Sequence, residues 1–196
     1  MSVRRDTICA LASGPSPSAI AVIRISGPGT ATIIENCLSV SQLKPRHASV
    51  VDITSSDGVL IDTGLATYMP GPASYTGEDT LELSVHGGRI ITELTLTAIM
   101  SAGARLAEPG EFTRRAFEAG KLDLTRAEAV ADLIDAETEA QHRQALKQMD
   151  GALEHLYSGW RNQLVEMLAL LEASIDFPDE EDAPDRVDGP VSDRLL

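Results

Sequence analysis

Three charged residues stand at positions that are unusual for an ordinary protein surface. Arg24 interrupts the apolar run "AIAVIRIS", Glu82 lies inside "TLELSV", and Lys121 follows Gly120 ahead of a run with helical character. If Arg24 and Glu82 lie on neighbouring strands, they can form a solvated salt bridge, which contributes little to stability. For Lys121 the alternatives are a phosphate-loop lysine, a ligand-binding lysine of another kind, or a solvated surface charge. The spacing of the flanking residues decides the first of these alternatives.

A phosphate loop that ends in Gly120-Lys121 requires glycine at position 115 and serine or threonine at position 122. These positions hold Arg115 and Leu122, so the tight loop and the magnesium-binding hydroxyl are both missing. The motif occurs nowhere else in the sequence. We therefore expect no GTP hydrolysis by this chain itself.

The other motifs that could carry chemistry predict no catalytic residue and no metal site. The run "GPGTAT" resembles a dinucleotide-binding loop, but Thr32 occupies the place of the third glycine, so we interpret it as a turn in which Thr30 or a neighbour caps a helix. His86 in "SVHGG" is either structural or part of a site, and its role stays open. Cys9 and Cys37 lack a CxxC pairing and are expected to be buried, unreactive thiols. The serines lack a nucleophile elbow, so a hydrolase is not indicated.

Composition and charge restrict the class of protein. The chain has 196 residues, 43% of them hydrophobic, which is enough for a core of ordinary size. It contains no apolar run of the roughly 20 residues that a membrane helix needs, so a cytoplasmic location is expected. The net charge of −14 is concentrated after Gly120, in the C-terminal part. Such an acidic segment repels phosphate backbones, so direct binding of nucleic acid by this chain should be weak.

The part before Gly120 predicts an α+β fold. Short β-rich runs alternate with turn residues, and the close spacing of the turns in "HASVVDITSSDGVLIDTGLATYM" implies antiparallel neighbours. We expect a mixed or antiparallel sheet with packed helices. The predicted strands are "TICALAS", "SAIAVIRIS", "HASVVDIT", "GLATYM" and "DTLELSV", and the predicted helices are "TATIIENCL" and "GRIITELTLTAIMSAG".

The part after Gly120 has a helical pattern. Thr125 and Glu128 have the spacing of a capping box, which predicts a helix that begins at about Arg126. A second helix should run from about Ala152 and end before Pro178. The apolar positions are Ala127, Val130, Ala131, Leu133 and Ile134 in the first helix and Leu153, Tyr157, Trp160, Leu164, Met167 and Leu171 in the second.

Four long motifs occur in an order that resembles one family. "VIRISGP", "PGPASYTGEDTLELSVHGG", "PGEFTRRAFEAGKLDLTRAEAVADLIDA" and "SIDFPDEE" closely resemble the N-terminal part of the MnmE (TrmE) family of tRNA-modification GTPases, over nearly the whole chain to about Glu181. The resemblance implies a tetrahydrofolate-binding-domain-like and dimerisation domain at 1–120, the start of a central helical domain at 121–178, and an acidic linker at 179–196. Neither the Ras-like G domain nor the C-terminal cysteine motif of the family is in the sequence, which we interpret as an N-terminal fragment.

The resemblance also implies a function. Members of the family install an aminomethyl-type group at carbon 5 of the wobble uridine of certain tRNAs, together with the flavin- and NADH-dependent partner MnmG (GidA). A tetrahydrofolate derivative, either 5-formyl or 5,10-methylene, is the expected one-carbon donor. GTP, magnesium and potassium would be needed only in the G domain. The resemblance further implies a homodimer through the N-terminal domain, with tRNA bound in the full complex.

The folate-contacting arginine, glutamate and lysine of the family fall on Arg24, Glu82 and Lys121 when the motifs are matched one by one. These types suit a folate, because a carboxylate accepts N–H donors of the pterin edge, whereas guanidinium and ammonium groups bind carbonyl or carboxylate oxygens. Which cation meets which end of the ligand stays open.

Two other functions are compatible with the same motifs. The chain can be chiefly an assembly module that dimerises and has little ligand affinity of its own. It can also be a self-sufficient folate-dependent aminomethyltransferase, although no obvious base accompanies the three folate residues. Titration with 5-formyltetrahydrofolate discriminates the assembly function from folate binding.

Overall fold

The computed structural model describes residues 6–176, which divide between Leu122 and Asp123 into two compact units. The acidic linker predicted at 179–196 lies outside the described residues, as does Pro178. None of the described helices is both long and apolar enough to cross a membrane.

The first unit is an α+β structure, as the sequence predicts. Its strands form a sheet in the order β3-β4-β5-β2-β1-β6, in which only β1 and β6 pair in parallel. The sheet is therefore mixed and mainly antiparallel. The strands are β1 (Ile8–Leu11), β2 (Ile20–Ser26), β3 (Ala48–Thr54), β4 (Leu60–Met69), β5 (Thr80–His86) and β6 (Arg105–Leu106), and the helices are α1 (Thr30–Cys37), α2 (Arg89–Ser101) and α3 (Glu111–Glu118).

The core lies on one face of this sheet. Alternate residues of the central strands, such as Ile23 and Ile25 of β2 and Leu81 and Leu83 of β5, are fully buried and cluster with apolar residues of α1 and α2. The period of two explains this arrangement, because every second side chain of a strand points to the same face. Burial of each such side chain stabilises the fold by about 1.5–3 kcal/mol.

The glycines of "GPGTAT" serve packing. A Cβ on Gly27 would lie 2.7 Å from Thr7 Cα, and one on Gly29 would lie 2.8 Å from Thr7 Oγ1, so the start of β1 can approach only glycine here. The N-cap of α1 is Gly29, the neighbour of Thr30, and it makes no side-chain cap hydrogen bond. Thr30 is instead the first residue of α1, and its hydroxyl donates to the carbonyls of Gly27 and Asp79.

Helix α3 was not predicted, since it has only eight residues and half of them are charged. Glu111 and Arg115 of this helix are buried, although their types are typical of a surface. The helix ends in a Schellman motif at Gly120, which has a φ of 68°. In this motif the N–H of Lys121 donates to the carbonyl of Ala116 at 2.9 Å, and the N–H of Gly120 donates to that of Phe117 at 2.9 Å.

The second unit contains α4 (Leu124–Ile134), α5 (Glu139–Met149) and α6 (Ala152–Asp176) among the described residues. The predicted capping box at the start of α4 is wrong: the N-cap is Asp123, whose carboxylate accepts from the N–H of Arg126 at 2.9 Å, and Thr125 donates to the same oxygen. A capping box does occur in this unit, between Thr138 and Gln141 at the start of α5, a helix that the sequence did not indicate.

The apolar faces of the helices are only partly buried within the described residues. Ala129 is the buried residue of α4, whereas Ile134 is 78% exposed. Helix α6 begins at Ala152 as predicted, and Met167 is buried on it. Its other predicted apolar positions include the exposed residues Tyr157, Trp160, Leu164 and Leu171.

Candidate folate-binding site

Arg24 and Glu82 face each other directly across the sheet. They are Cα partners in the antiparallel pairing of β2 with β5. Arg24 Nε donates to Glu82 Oε1 at 2.8 Å. Arg24 Nη2 lies 2.7 Å from the same oxygen in a salt bridge. Both side chains are somewhat less than a third exposed, at 28% and 29%, on the face opposite the core. The pair is thus fixed at the sheet surface and open to solvent.

Two aromatic rings border the guanidinium of Arg24. Its Cζ lies 5.4 Å from the ring centroid of Tyr75 and 5.7 Å from that of Phe112, within the range of a cation–π contact. Tyr75 belongs to the loop between β4 and β5, and its hydroxyl is hydrogen-bonded to Thr113 Oγ1 on α3 at 3.0 Å. The loop and the helix are therefore joined beside Arg24.

Lys121 approaches this loop from the end of α3. A Cβ built on Gly77 would lie 3.9 Å from both Cγ and Cε of Lys121, so the lysine side chain passes along the loop two residues after Tyr75. The lysine is exposed, and it forms no ion pair with another residue in the range 6–176. The structure thus brings Arg24 and Glu82 into contact and places the side chain of Lys121 beside the β4–β5 loop.

A buried ion network fixes the base of the loop. Arg115 donates to Glu78 of the loop at 3.1 Å, to Glu111 at 2.9 Å and to the carbonyl of Asp6 at 2.7 Å. Arg105 binds both carboxylate oxygens of Glu111, at 2.9 and 2.7 Å. Hydrogen bonds from Arg105, with further ones from the Glu108 amide and Arg115, outweigh the effect of burial and lower the pKa of Glu111 to about 2.

His86 lies on the same strand and the same face as Glu82, but it is engaged elsewhere. Its Nδ1 is 2.8 Å from Asp62 Oδ1, and its N–H donates to Asp62 Oδ2 at 2.8 Å. Burial raises the pKa of Asp62, but the hydrogen bonds from His86 and Thr63 more than offset this and lower it. The side chain of His86 is 71% exposed, and its contacts with Asp62 join β5 to β4 at the end of their pairing.

The thiols are poor candidates for chemistry. Cys9 and Cys37 are buried and unpaired. Burial raises the pKa of Cys9 to about 11 and also raises that of Cys37, so the reactive thiolate is disfavoured at both positions. Within residues 6–176 no cluster of three or more His, Cys, Asp or Glu side chains could hold a metal ion.

Sequence reasoning missed the residues that surround the three predicted ones. Tyr75 and Glu78 lie in a loop, and Phe112 and Arg115 lie in α3, a helix of only eight residues, so no pattern marked them. The available signal was the density of aromatic and charged residues in "SYTGED" and "GEFTRRAFE", two runs that the fold brings together.

Comparison with known proteins gives two family matches. The model for the "GTP-binding protein TrmE N-terminus" matches residues 7–121, and that for the "MnmE helical domain" matches residues 124–195. Together they cover most of the chain, including positions 179–195, for which the sequence predicts a linker.

Curated relatives agree with these matches. The chain is 58% identical over 192 residues to the tRNA modification GTPase MnmE of Hyphomonas neptunium. This alignment covers 97% of this chain and 44% of the relative. It is 54% identical to the protein of the same name from Phenylobacterium zucineum, over 90% of this chain and 39% of the relative. It is 56% identical to the protein of the same name from Caulobacter vibrioides, over 93% of this chain and 40% of the relative. The chain therefore spans about two fifths of the length of these relatives.

Proposed function

We propose, from the premise that this chain belongs to the MnmE (TrmE) family of tRNA modification GTPases, that it supplies the folate-binding and dimer-forming part of an enzyme that modifies tRNA. The modification is the addition of an aminomethyl-type group to carbon 5 of the wobble uridine. A tetrahydrofolate derivative, 5-formyl or 5,10-methylene, is the one-carbon donor. Because the substrate is tRNA, we assign the activity to the cytoplasm.

The observation that carries the folate assignment is the Arg24–Glu82 pair with Lys121 on the adjoining loop. The pair lies open at the sheet surface beside the rings of Tyr75 and Phe112, and the exposed side chain of Lys121 passes along Gly77. Carboxylate, cations and aromatic faces together match a ligand with N–H donors, a flat ring and carboxylates. The residues therefore fit a reduced folate, which when bound would supply the one-carbon unit.

The role of this chain in that reaction is to bind and orient. Glu82 on β5 offers an acceptor, and Lys121 beside the β4–β5 loop offers a cation, so the two would hold the ligand at two points. We assign no catalytic residue to the described site. Completion of the reaction is proposed to require GTP, magnesium and potassium in a G domain, and the flavoprotein MnmG (GidA) with NADH.

The dimer is proposed to form through the outer face of the sheet. Val22, Val50, Leu65 and Ser84 form one row on this face, as their pairing shows, and Ile20 lies beside Val22. Val50 is 72% exposed and Ile20 is 63% exposed. Such apolar residues on the face that carries Arg24 and Glu82 favour a partner there, and a dimer through this face would bring the proposed folate site near the interface.

The same apolar row also favours the alternative function of an assembly module with little folate affinity. The two functions differ in the ligand and not in the dimer. Absence of folate binding by a dimeric chain would favour the alternative.

Analysis of tRNA tests the proposed pathway. Nucleosides from hydrolysed tRNA of cells that lack the gene should contain unmodified wobble uridine by mass spectrometry. The wild-type gene should restore the modified nucleoside, and the same gene with Glu82→Ala should restore much less. Normal modification in the deletion strain would contradict the proposal.

A further inference from the structure

We infer that the buried pair Glu78–Arg115 positions Lys121, because it holds the loop between β4 and β5 against the end of α3 and so keeps the lysine side chain in one place. The inference rests on the proposed folate function. It adds two positioning residues that do not themselves contact the ligand. All of the residues concerned lie in the first unit.

On the helix side, Arg115 and the backbone of Lys121 are fixed together. Arg115 directly precedes Ala116, whose carbonyl accepts the N–H of Lys121 at 2.9 Å. The side chain of Arg115 is only 7% exposed. Its guanidinium donates to Glu111 Oε1 at 2.9 Å and to the carbonyl of Asp6 at 2.7 Å. The guanidinium therefore has two partners besides the loop, and the end of α3 cannot shift without breaking these bonds.

On the loop side, Glu78 is held between α3 and β2. Its Oε2 accepts from Arg115 Nη1 at 3.1 Å and from the hydroxyl of Ser26 at 2.8 Å. Ser26 is also hydrogen-bonded to the hydroxyl of Thr76 at 2.7 Å. The two residues that flank Gly77 are thus both anchored to the same serine of β2.

Gly77 is the point at which the loop meets the lysine. A Cβ built on it would lie 3.2 Å from the Cβ of Ala119 and 3.9 Å from Cγ and Cε of Lys121. Since the contact is made by a glycine and an alanine, little apolar surface is available to hold the loop there. Charge-assisted hydrogen bonds are strong and directional. The Glu78–Arg115 pair therefore sets how closely the loop lies along Lys121.

Burial of the pair favours a role in geometry over a role in stability. The side chains of Glu78 and Arg115 are 8% and 7% exposed. The cost of removing both charges from water offsets much of their attraction, so such a pair is weak evidence for stability. Glu78→Gln removes one charge and leaves Arg115 paired with Glu111. The variant should therefore be less stable but still folded.

Calorimetry with 5-formyltetrahydrofolate tests the inference on four proteins: the wild type, Glu78→Gln, Lys121→Ala and the double variant. Glu78→Gln should raise the dissociation constant about ten-fold when Lys121 is present, because the hydrogen bond of a displaced lysine is weakened or lost. In the Lys121→Ala protein the same substitution should raise it less than about three-fold, since no lysine is left to position. This difference is the coupling that a purely structural role would not produce.

Asp62→Asn is the matched control for loss of stability. Asp62 is 9% exposed and joins β4 to β5 through two 2.8 Å contacts with His86. Its substitution should also lower the melting temperature but leave the folate affinity unchanged. Ser26→Ala removes the hydroxyl shared by Glu78 and Thr76 without changing a charge, and it should weaken binding in the same direction as Glu78→Gln. It takes the place of Glu78→Gln in the comparison if that variant does not fold.

Each contrary result has a separate meaning. A wild-type chain that binds no folate contradicts the proposed function itself. If the wild type binds, an unchanged affinity in folded Glu78→Gln, or an equal loss with and without Lys121, shows that the pair does not position the lysine. An equal loss in Asp62→Asn assigns the effect to lower stability. In the last three cases the folate function stands and the inference is wrong.

Discussion

At the scale of single residues, substitution of Lys121 shows whether this lysine contacts the ligand or is only a surface charge. Lys121→Ala should weaken binding of 5-formyltetrahydrofolate about ten- to a hundred-fold, because a charge-assisted hydrogen bond contributes roughly 1.5–3 kcal/mol. Since the lysine is exposed, the melting temperature without ligand should barely change. Calorimetry and thermal unfolding measure the two effects. Lys147→Ala on α5 is the matched control, and equal folate affinity in all three proteins would assign Lys121 to the solvated surface.

Glu111 predicts a pH dependence of stability. Its pKa is lowered from 4.5 to about 2 by Arg105, so the ionised form is bound more tightly in the folded state. The resulting stability is fully present above pH 4.5 and is lost as the pH falls towards about 2. The loss should be on the order of 3 kcal/mol, measured by urea unfolding along a pH series.

Substitution identifies the group responsible. Glu111→Gln should remove most of the decrease in unfolding free energy over this pH range, although the variant is less stable at neutral pH. Glu118→Gln changes an exposed glutamate of the same helix and should retain the decrease. An unchanged pH dependence in Glu111→Gln would assign the acid sensitivity to other carboxylates.

The contact between Arg24 and Glu82 could be predicted from sequence, because both interrupt apolar strand patterns and so lie on the outer face. Tyr75 and Phe112 could not, since their closeness to Arg24 depends on where a loop and α3 meet. The burial of Glu111 and Arg115 could not be predicted from sequence either, because charged residues are normally expected at the surface.

At the scale of secondary structure, Gly120 fixes the end of α3 and hence the backbone of Lys121. Gly120→Ala should lower the unfolding free energy by about 1 kcal/mol, because a left-handed conformation is unfavourable for alanine. Nothing lies within 4 Å of the added Cβ, so the φ of 68° is the only cost.

Gly159→Ala, inside α6 and also without close neighbours, should instead stabilise by up to about 1 kcal/mol. Urea unfolding compares them, and equal effects would show that Gly120 imposes no backbone requirement.

The strands were predictable and several helix ends were not. Strands with one buried face show a strict period of two, so β2 and β5 were predicted from sequence with nearly their observed bounds. The start of α4 was placed wrongly because Asp123 competes with Thr125 for the same capping position, and spacing alone favours the capping box.

At the scale of the whole molecule, the exposed row on the sheet predicts a homodimer. Light scattering at tens of micromolar should give twice the mass of one chain. Leu65→Lys places a charge in this row and should raise the dissociation constant of the dimer about ten-fold or more. Val59→Lys, in the exposed turn between β3 and β4, should leave the dimer intact. A wild-type monomer at that concentration would contradict the proposed interface.

The α+β class followed from the sequence because turn spacing and periodicity are local properties. Which face of the sheet is left uncovered is not local, since it depends on where α1 and α2 pack. The placement of Lys121 beside Gly77 likewise arises only when the loop and the end of α3 meet.

Calorimetric titration of the chain with 5-formyltetrahydrofolate tests the central claim most directly. The wild type should give saturable heat with one site per chain, and Glu82→Ala should bind about ten- to a hundred-fold more weakly with its melting temperature nearly unchanged. Absence of heat in the wild type at several hundred micromolar ligand, or equal affinity in a folded Glu82→Ala variant, would contradict a folate site at Arg24, Glu82 and Lys121.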